Sequence, residues 1–418
     1  MSKFLLKCIT CGKEFSEEEV EYYCPVCGER RGTLEVVYDF DQVREKYESS
    51  SVDLNNRGIW AFDFLLPFEN CTDTPRLFVG NTPLYRNHFL EEKCRVSELL
   101  LKDDGRNPTA SFKDRASAVA VLKAKEKSFD TVFCASTGNA ASSLSGFAAV
   151  SGLKSVIFVP ATAPAAKITQ LQVYGSKILA INASYDRVFD LSMEIGMSKG
   201  WYCRNSAINP YLLEGKKTCA MEIALKTKDK LPDFVFVSAG DGTVLSSFYK
   251  GFEDLMKLGV ISKIPTIVGV QAEGSNAIMR AYERGYPFEP VDIEARTVAD
   301  SISVGKPRDV FKACRYTQKH NGLFLSVSDG EILGSIIELA RETGVFAEPA
   351  GATAFAGFKK ARRLSIVNER NSVVIVVTGN GLKDLKSVSY VLPKVETLPP
   401  VKDAVEEALN EDQLHTQQ

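Results

Sequence analysis

Seven short apolar runs place the tightest constraint on what this chain can become. They are ELLLK (98–102), TVFCAS (131–136), SVIFVP (155–160), KILAIN (177–182), DFVFVSAG (233–240), TIVGVQA (266–272) and SVVIVVTG (372–379). None shows the alternation of a half-exposed strand, and several close on Gly, Ser or Pro. Strands of that kind are covered on both faces, and the helix-length segments between them supply the covering layers. The pattern predicts an α/β architecture built on parallel sheets, with ligands at the C-terminal ends of the strands. No repeat of fixed period runs through the chain. The last residues, from about 396, read as a surface helix and a polar tail.

Length and charge narrow the function classes. At 418 residues, 44% hydrophobic and 25% charged, the chain is long enough for two or three domains with a sizeable core. A formal net charge of −2 offers no field that would gather nucleic acid or an anionic membrane, so neither is an expected partner. The opening MSKFLLKCITCGKEF has an apolar run too short for a secretion signal, and no stretch approaches the roughly 20 apolar residues of a membrane span. The expectation is a soluble, cytoplasmic protein acting on a small molecule. His88, His320 and His415 lie far apart in unlike contexts. They read as surface or packing groups, with no histidine metal cluster and no Ser-His-Asp triad.

Residues 1–36 read as a separate small unit. Cys8-x-x-Cys11 and Cys24-x-x-Cys27 form two matched knuckles, each followed by a glycine. Four thiolates at that spacing suit a tetrahedral zinc ion in a closed, structural site. The plainer alternative is a ribbon whose four cysteines stay reduced and hold no metal. Cys71, Cys94, Cys134, Cys203, Cys219 and Cys314 show no paired spacing and read mostly as buried, unreactive thiols.

Four strand ends carry polar or glycine-rich turns. The first, KDDGRNPTASFKDRAS (102–117), runs from a strand into an alanine-rich helix and puts Lys113 in the first helical turn. The partial positive charge of a helix start opposes a cation there. Either the lysine is solvated and paired with Asp114 or Asp104, or its amine is kept nucleophilic enough to attack an aldehyde, as a Schiff-base lysine does. The second, CASTGNAASS (134–143), crowds Ser136, Thr137, Gly138 and Asn139 at a helix start. Backbone N–H groups there bind a carboxylate, although a simple N-cap needs only one of these residues. The third, SAGDGTV (238–244), sets Gly240 and Gly242 around Asp241, with Thr243 next. It lets backbone N–H groups approach an anion, without the lysine or spacing of a nucleotide P-loop. The fourth, VVTGNGLKD (376–384), sets Thr378 at a strand end. Four such turns, one with a helix-start lysine, point to a phosphate-bearing cofactor that reacts with an amine.

These landmarks, with GNTPL (80–84), EGKKT (214–218) and EPAGA (348–352), resemble the fold-type-II pyridoxal-phosphate enzymes, the group of tryptophan synthase β, cysteine synthase, threonine dehydratase and threonine synthase. NPTASFKDR (107–115) and TGNGLKD (378–384) are most similar to threonine synthase, whose members often carry an N-terminal ribbon. The resemblance implies a tryptophan synthase β-like fold of two parallel-sheet, three-layer domains plus a zinc-ribbon-like unit. It implies 1–36 for the ribbon, 37–124 with 206–395 for a large cofactor-binding domain, 125–205 for a smaller mobile domain and 396–418 for the tail. It further implies pyridoxal 5′-phosphate, structural zinc, an amino-acid substrate and a homodimer. Lys113 would hold the cofactor covalently and move protons at the substrate's α- and β-carbons. Asn139 would meet the cofactor's 3′-oxygen, Gly240–Thr243 its phosphate and Thr378 its pyridine nitrogen. The backbone of Ser136–Asn139 would take the substrate carboxylate.

The implied reaction removes phosphate from O-phosphohomoserine and adds water to give threonine. The chain departs from the family pattern where the substrate's phosphate would sit. Leu212 stands where many members have an arginine, Ala140 where a second threonine is common and Val244 where some have asparagine. Asn205 and Ser206 match the family's phosphate contacts. A dianion among neutral donors alone is costly to desolvate, so a cation is still required; Arg106, Lys216 and Lys217 are the candidates. Two competing readings stand beside this one. A serine/threonine dehydratase or β-replacement relative is favoured by the changed phosphate contacts. A ribbon-based binding protein with an inactive body is disfavoured by Lys113, Asn139 and Thr378 occurring together.

Overall fold

A computed structural model describes residues 3–69, 71–163 and 165–415. Each of the seven apolar runs contains a strand. The chain opens with β1 (Phe4–Cys8), β2 (Glu14–Phe15) and β3 (Leu34–Tyr38), followed by β4 (Leu84–Arg86) and β5 (Glu98–Asp103). Then come β6 (Thr131–Ala135), β7 (Lys154–Pro160), β8 (Lys177–Ile181) and β9 (Tyr202–Cys203). The last strands are β10 (Phe234–Ser238), β11 (Thr266–Ala272), β12 (Leu323–Val327) and β13 (Ser372–Val377).

They form a three-stranded sheet β2-β1-β3, a six-stranded sheet β12-β11-β10-β13-β5-β4 and a four-stranded sheet β8-β7-β6-β9. Pairings within the four-stranded sheet are parallel. The six-stranded sheet is parallel except at its edge, where β4 runs antiparallel to β5. That edge corrects the expectation of a parallel sheet. Only the short helix His88–Cys94 joins the two strands, too little chain for a parallel crossover. Three strands of these two sheets were not legible as apolar runs. β4 is three residues long and mostly exposed. β12 is an edge strand with two half-covered positions, and β9 is two residues long.

The helices that matter to the cleft are α1 (Lys113–Glu126), α2 (Asn139–Ser151), α3 (Tyr185–Ser198), α4 (Tyr211–Lys226), α5 (Thr243–Lys257), α6 (Val310–Lys319) and α7 (Pro349–Arg363). Helix α4 is buried all round from Tyr211 to Ala224, which explains the glycine of EGKKT. A Cβ on Gly215 would lie 2.1 Å from the Arg115 carbonyl of α1. Gly251 of α5 is held as tightly, with a Cβ there 2.5 Å from the Lys217 carbonyl. Backbones that close leave no room for water, so Glu214, Lys217 and Glu222 of α4 are paired inside the protein. Lys217 reaches Glu214 at 2.5 Å and Asp254 at 2.6 Å. Glu222 joins Lys102 and Arg115, each at 2.6 Å, and Arg115 also holds Asp104 at 2.6 Å.

The apolar side chains of the N-terminal sheet, such as Phe4, Leu6 and Val36, share one cluster with those of the four-stranded sheet. A second cluster forms around β13 and α7. The chain ends in a helix, Lys402–His415, whose described side chains are mostly exposed. Among the described residues no helix is long and apolar enough to cross a membrane.

Candidate active site

The ends of β6, β9 and β10 and the start of α1 meet at a cavity of about 700 Å³, within the range of small-molecule sites. Lys113 lines it. The chain before that lysine is pinned to the end of β13, where the Phe112 N–H donates to the Thr378 carbonyl at 2.9 Å. Among the described residues the Lys113 amine has no hydrogen bond or ion pair to another side chain. Pairing with Asp114 or Asp104 is ruled out because both carboxylates are engaged. Asp114 accepts from the Thr109 N–H at 2.6 Å, and Asp104 from Arg115 and the Thr82 hydroxyl, both at 2.6 Å. Burial lowers the amine's pKa; Asp241 and Glu348 oppose the shift and Arg204 adds to it. The site therefore keeps an amine that shares its proton readily.

Ser136, Thr137, Gly138 and Asn139 all line the cavity, and Gly138 caps α2. A Cβ on Gly138 would meet nothing within 4 Å, so this turn offers open backbone at a helix start. The Asn139 amide donates to Glu348 Oε1 at 2.7 Å and to Ser301 at 3.3 Å. Glu348 is buried, which raises its carboxyl pKa, with the Asn139 bond opposing. This pairing joins the four-stranded and six-stranded bodies.

Gly240 and Asp241 also line the cavity. The loop turns at Gly242, with φ +100°, into α5. Asp241 Oδ1 accepts from the Thr243 N–H at 3.0 Å and its hydroxyl at 2.8 Å. Cβ atoms on Gly240 and Gly242 would each meet neighbouring backbone at 2.9 Å, so only glycine fits either position without a shift. The hydroxyls of Ser238 and Ser246, on either side of the loop, are buried without a partner. Both oxygens of Asp309 are buried without a hydrogen bond, with Lys312 Nζ 3.8 Å from Oδ1, and burial pushes its carboxyl up to about 6. Thr378 is not among the cavity-lining residues; its carbonyl holds the Phe112 N–H instead.

At the far wall the sequence candidates separate. Asn205 lines the cavity, but its amide is engaged: Oδ1 accepts from the Ala135 N–H at 2.8 Å and Nδ2 meets Ser192 at 3.3 Å. The Ser206 hydroxyl accepts from Lys216 at 3.0 Å, and Lys216 also donates to Thr243 at 2.6 Å. Two of the three proposed cations are corrected here. Arg106 is exposed and does not line the cavity. Lys217 is fully buried in its pairs with Glu214 and Asp254. Val244 and Ala140 do line the cavity, and Leu212 is buried in α4.

Sequence reasoning missed Arg204, Arg308 and Glu348. Arg204 follows β9 and so obeys the strand-end rule, but a two-residue strand gives no apolar run to mark it. Arg308 lines the cavity and lies over the Phe189 ring of α3, 3.7 Å from its centroid. Glu348 sits in the noted EPAGA motif, yet only the fold reveals Asn139 as its partner. The histidines behave as expected where described. His88 is exposed beside Glu91, and His320 pairs with Glu253 and stacks on Tyr249. The side chain of His415 lies outside the described residues.

The sulfur atoms of Cys8, Cys11, Cys24 and Cys27 all lie within 4.8 Å of one another, and those of Cys11 and Cys24 are 3.8 Å apart. Tetrahedral zinc with bonds of about 2.3 Å sets its sulfurs about 3.8 Å apart, so the donor set fits that ion.

The family model for pyridoxal-phosphate dependent enzymes matches residues 75–379. Threonine synthase of Methanocaldococcus jannaschii is 36% identical over 382 residues, covering 91% of this chain and 93% of that protein. Threonine synthase of Methanosarcina acetivorans is 36% identical over 405 residues, covering 97% and 98%. Among solved structures, threonine deaminase isoform 2 of Solanum lycopersicum superposes with a TM-score of 0.64 at 20% identity, covering 74% of this chain and 82% of that one. This likeness shows the shared fold.

Proposed function

The chain belongs to the pyridoxal-phosphate-dependent enzymes, as a lyase of the threonine synthase kind, and from that premise we propose that it converts O-phosphohomoserine and water to threonine and phosphate. The observation that carries the reading is Lys113: a lysine amine at a helix start, without a carboxylate partner, lining the cavity where strand ends of two sheets meet. The residues fit the cofactor. Lys113 would hold it covalently, and the loop Gly240–Thr243 would take its phosphate, with the unpartnered Ser238 and Ser246 hydroxyls beside it. Asn139 would face its 3′-oxygen after loosening from Glu348, and Thr378 would lie toward the pyridine nitrogen. When bound, pyridoxal phosphate withdraws electrons from the substrate's α-carbon and so lets the neighbouring protons leave.

The chain's own groups do the rest. The N-terminus of α2 and the backbone of Ser136–Asn139 orient the substrate carboxylate. The Lys113 amine, its charge disfavoured by burial, takes and returns protons at the α- and β-carbons. The γ-carbon exchanges its bond to phosphate oxygen for a bond to a proton and ends as a methyl group, while the β-carbon gives up one proton and gains hydroxyl from water. Ser206, held by Lys216, is the retained hydroxyl donor at the phosphate end, while Asn205 shapes the wall behind it. The part spanning 125–205 is the smaller domain of this reading, closing over the site to exclude water until it is needed. Its contacts to the larger body support this: Asn139 to Ser301 and Glu348, Lys167 to Asp300, and Phe189 under Arg308. One structural zinc in the four-cysteine cluster belongs to the same reading, on the geometry above. A homodimer and a cytoplasmic location complete it, on the resemblance alone.

The test is incubation of the holoenzyme with O-phosphohomoserine, following phosphate and threonine together. Equal release of the two is expected. Turnover of serine or threonine to the keto acid and ammonia, with O-phosphohomoserine ignored, would replace the reading with the dehydratase one.

A further inference from the structure

Arg204 is a fully buried guanidinium that lines the cavity, and among the described residues it has no ion-pair partner. Its Nε donates to the Ser117 hydroxyl at 3.0 Å and its Nη2 to the Lys113 carbonyl at 3.3 Å. Its Nη1 is buried and donates to nothing. A cation removed from water normally finds a carboxylate, because an unpaired buried charge costs several kcal/mol. Here both neutral contacts fix the fork's orientation and neither neutralises it. Two residues on, the Ser206 hydroxyl is met by Lys216, which is also fully buried and also without an ion pair. Arg204 and, two residues on, the Ser206 hydroxyl held by Lys216 thus bring two unpaired cations to one stretch of the cavity wall, and the side chain at Leu212 supplies no charge.

We propose that Arg204, together with Lys216 acting through Ser206, is the seat for the phosphate of the substrate, and that Arg204 determines specificity for a phosphorylated amino acid. The inference rests on the proposed function and deepens it by naming the cation that function requires. Geometry separates this seat from the cofactor's phosphate. Arg204 follows β9 of the four-stranded sheet, on the wall that carries Ser136–Asn139, whereas the glycine loop follows β10 of the six-stranded sheet. The link to the Lys113 carbonyl sets the guanidinium beside the residue whose amine works at the α-carbon, and the phosphorus of O-phosphohomoserine lies only a few bonds from that carbon. Entry of a dianion would offset the unpaired charge, so the wall is poised for a substrate that brings two negative charges.

The experiment compares wild-type, Arg204→Met and Arg204→Lys holoenzymes with two ligands, O-phosphohomoserine and the phosphate-free L-2-aminobutyrate. Binding is read from the change each ligand makes in the cofactor's visible absorbance, beside steady-state KM and kcat. Arg204→Met is expected to weaken O-phosphohomoserine by roughly 10- to 150-fold, the worth of one to two charge-assisted hydrogen bonds, and to move L-2-aminobutyrate by less than about threefold. Inorganic phosphate should compete with the wild type and lose most of that effect in the variant. Arg204→Lys keeps the charge without the fork and should fall between; it serves as the test if the Met variant does not fold. Equal weakening of both ligands would overturn the proposal in favour of a residue that only shapes the wall. Loss of cofactor from both variants would overturn it in favour of a cofactor contact. If the wild type itself ignores O-phosphohomoserine, the proposed function fails first, and retained phosphate competition would show that separately.

Discussion

Glu222→Gln is the perturbation that most sharply tests the buried electrostatics behind the lysine. Glu222 accepts from Lys102, from both terminal nitrogens of Arg115 and from the Asn81 N–H, at 2.6 to 2.9 Å. Asp104 balances the group from the other side, and all four charged side chains have no exposed surface. The cluster carries two positive and two negative charges, so glutamine, which keeps the shape, leaves one cation unmatched. Breaking one partner of such a buried set costs about 3–5 kcal/mol. The titration of Glu222 gives the same scale. Its carboxyl falls from 4.5 to about 2; burial pushes upward and Arg115 then Lys102 overcome it, which corresponds to about 3 kcal/mol. A carboxyl depressed on folding stabilises the protein above its unfolded pKa and loses that contribution as pH falls through the folded value. The wild type should therefore lose stability between about pH 4.5 and 2 more steeply than Glu222→Gln, and the two should converge at the acid end. The assay is urea unfolding of both holoenzymes at pH 7 and at steps down to pH 3, at fixed cofactor concentration. Adding Lys102→Met to the variant restores neutrality and should recover part of the loss. A single-variant loss below about 1 kcal/mol at pH 7, or parallel pH curves, would refute the view that this cluster is a balanced unit.

Three further outcomes follow from the site and the ribbon. Lys113→Ala should stay folded by circular dichroism and yield no borohydride-reducible cofactor; labelling at another lysine would displace Lys113 from its role. The Lys216 amine sits at about 7, lowered by burial against the pull of Asp241; it is charged below that pH and neutral above. Since a phosphate monoester becomes a dianion above about pH 6, kcat/KM for O-phosphohomoserine should peak between about 6 and 7 and fall on the alkaline side. Lys216→Met should flatten that fall, and an unchanged alkaline limb would exclude Lys216 from it. Protein purified without chelator should contain about one zinc per chain, and stripping it should lower the melting temperature; a metal content near zero would leave the four cysteines as an empty ribbon.

What the sequence made legible tracks the range over which each signal acts. Strands apolar on both faces announce themselves locally, so six interior strands could be read directly; β8, an edge strand with no buried position, was read from its apolar composition alone. The glycine loop, the helix-start lysine and the paired cysteines are likewise short patterns with a fixed local geometry. Edge and very short strands carry no such pattern, and β9 took Arg204 out of view with it. Asn139 and Glu348 lie 209 positions apart, and no local rule couples them. The charge on Lys217 illustrates the reverse error: within EGKKT it looked available for a ligand, and only the packing of α4 against α1 and α5 shows that Glu214 and Asp254 consume it.

The four-cysteine sheet is placed so that its folding bears on both walls of the cleft. It is too small to build a core alone, and its apolar side chains join the main cluster. On one side the Tyr22 hydroxyl accepts from the Cys203 N–H at 2.9 Å, immediately before Arg204. On the other, Lys312 of α6 donates to the Leu34 carbonyl at 3.0 Å. Three residues earlier the Asp309 N–H holds the Asp241 carbonyl of the glycine loop at 3.1 Å. Arg315 and Tyr316 of the same helix reach Ile9 and Glu35. A metal bound between the knuckles would therefore also brace β9 and α6, the two elements next to Arg204 and Asp241. An ornament on the surface would not need a tyrosine hydroxyl on one wall and a buried lysine on the other. The ribbon is better understood as a strut between the wall proposed to seat the substrate's phosphate and the loop proposed to seat the cofactor's.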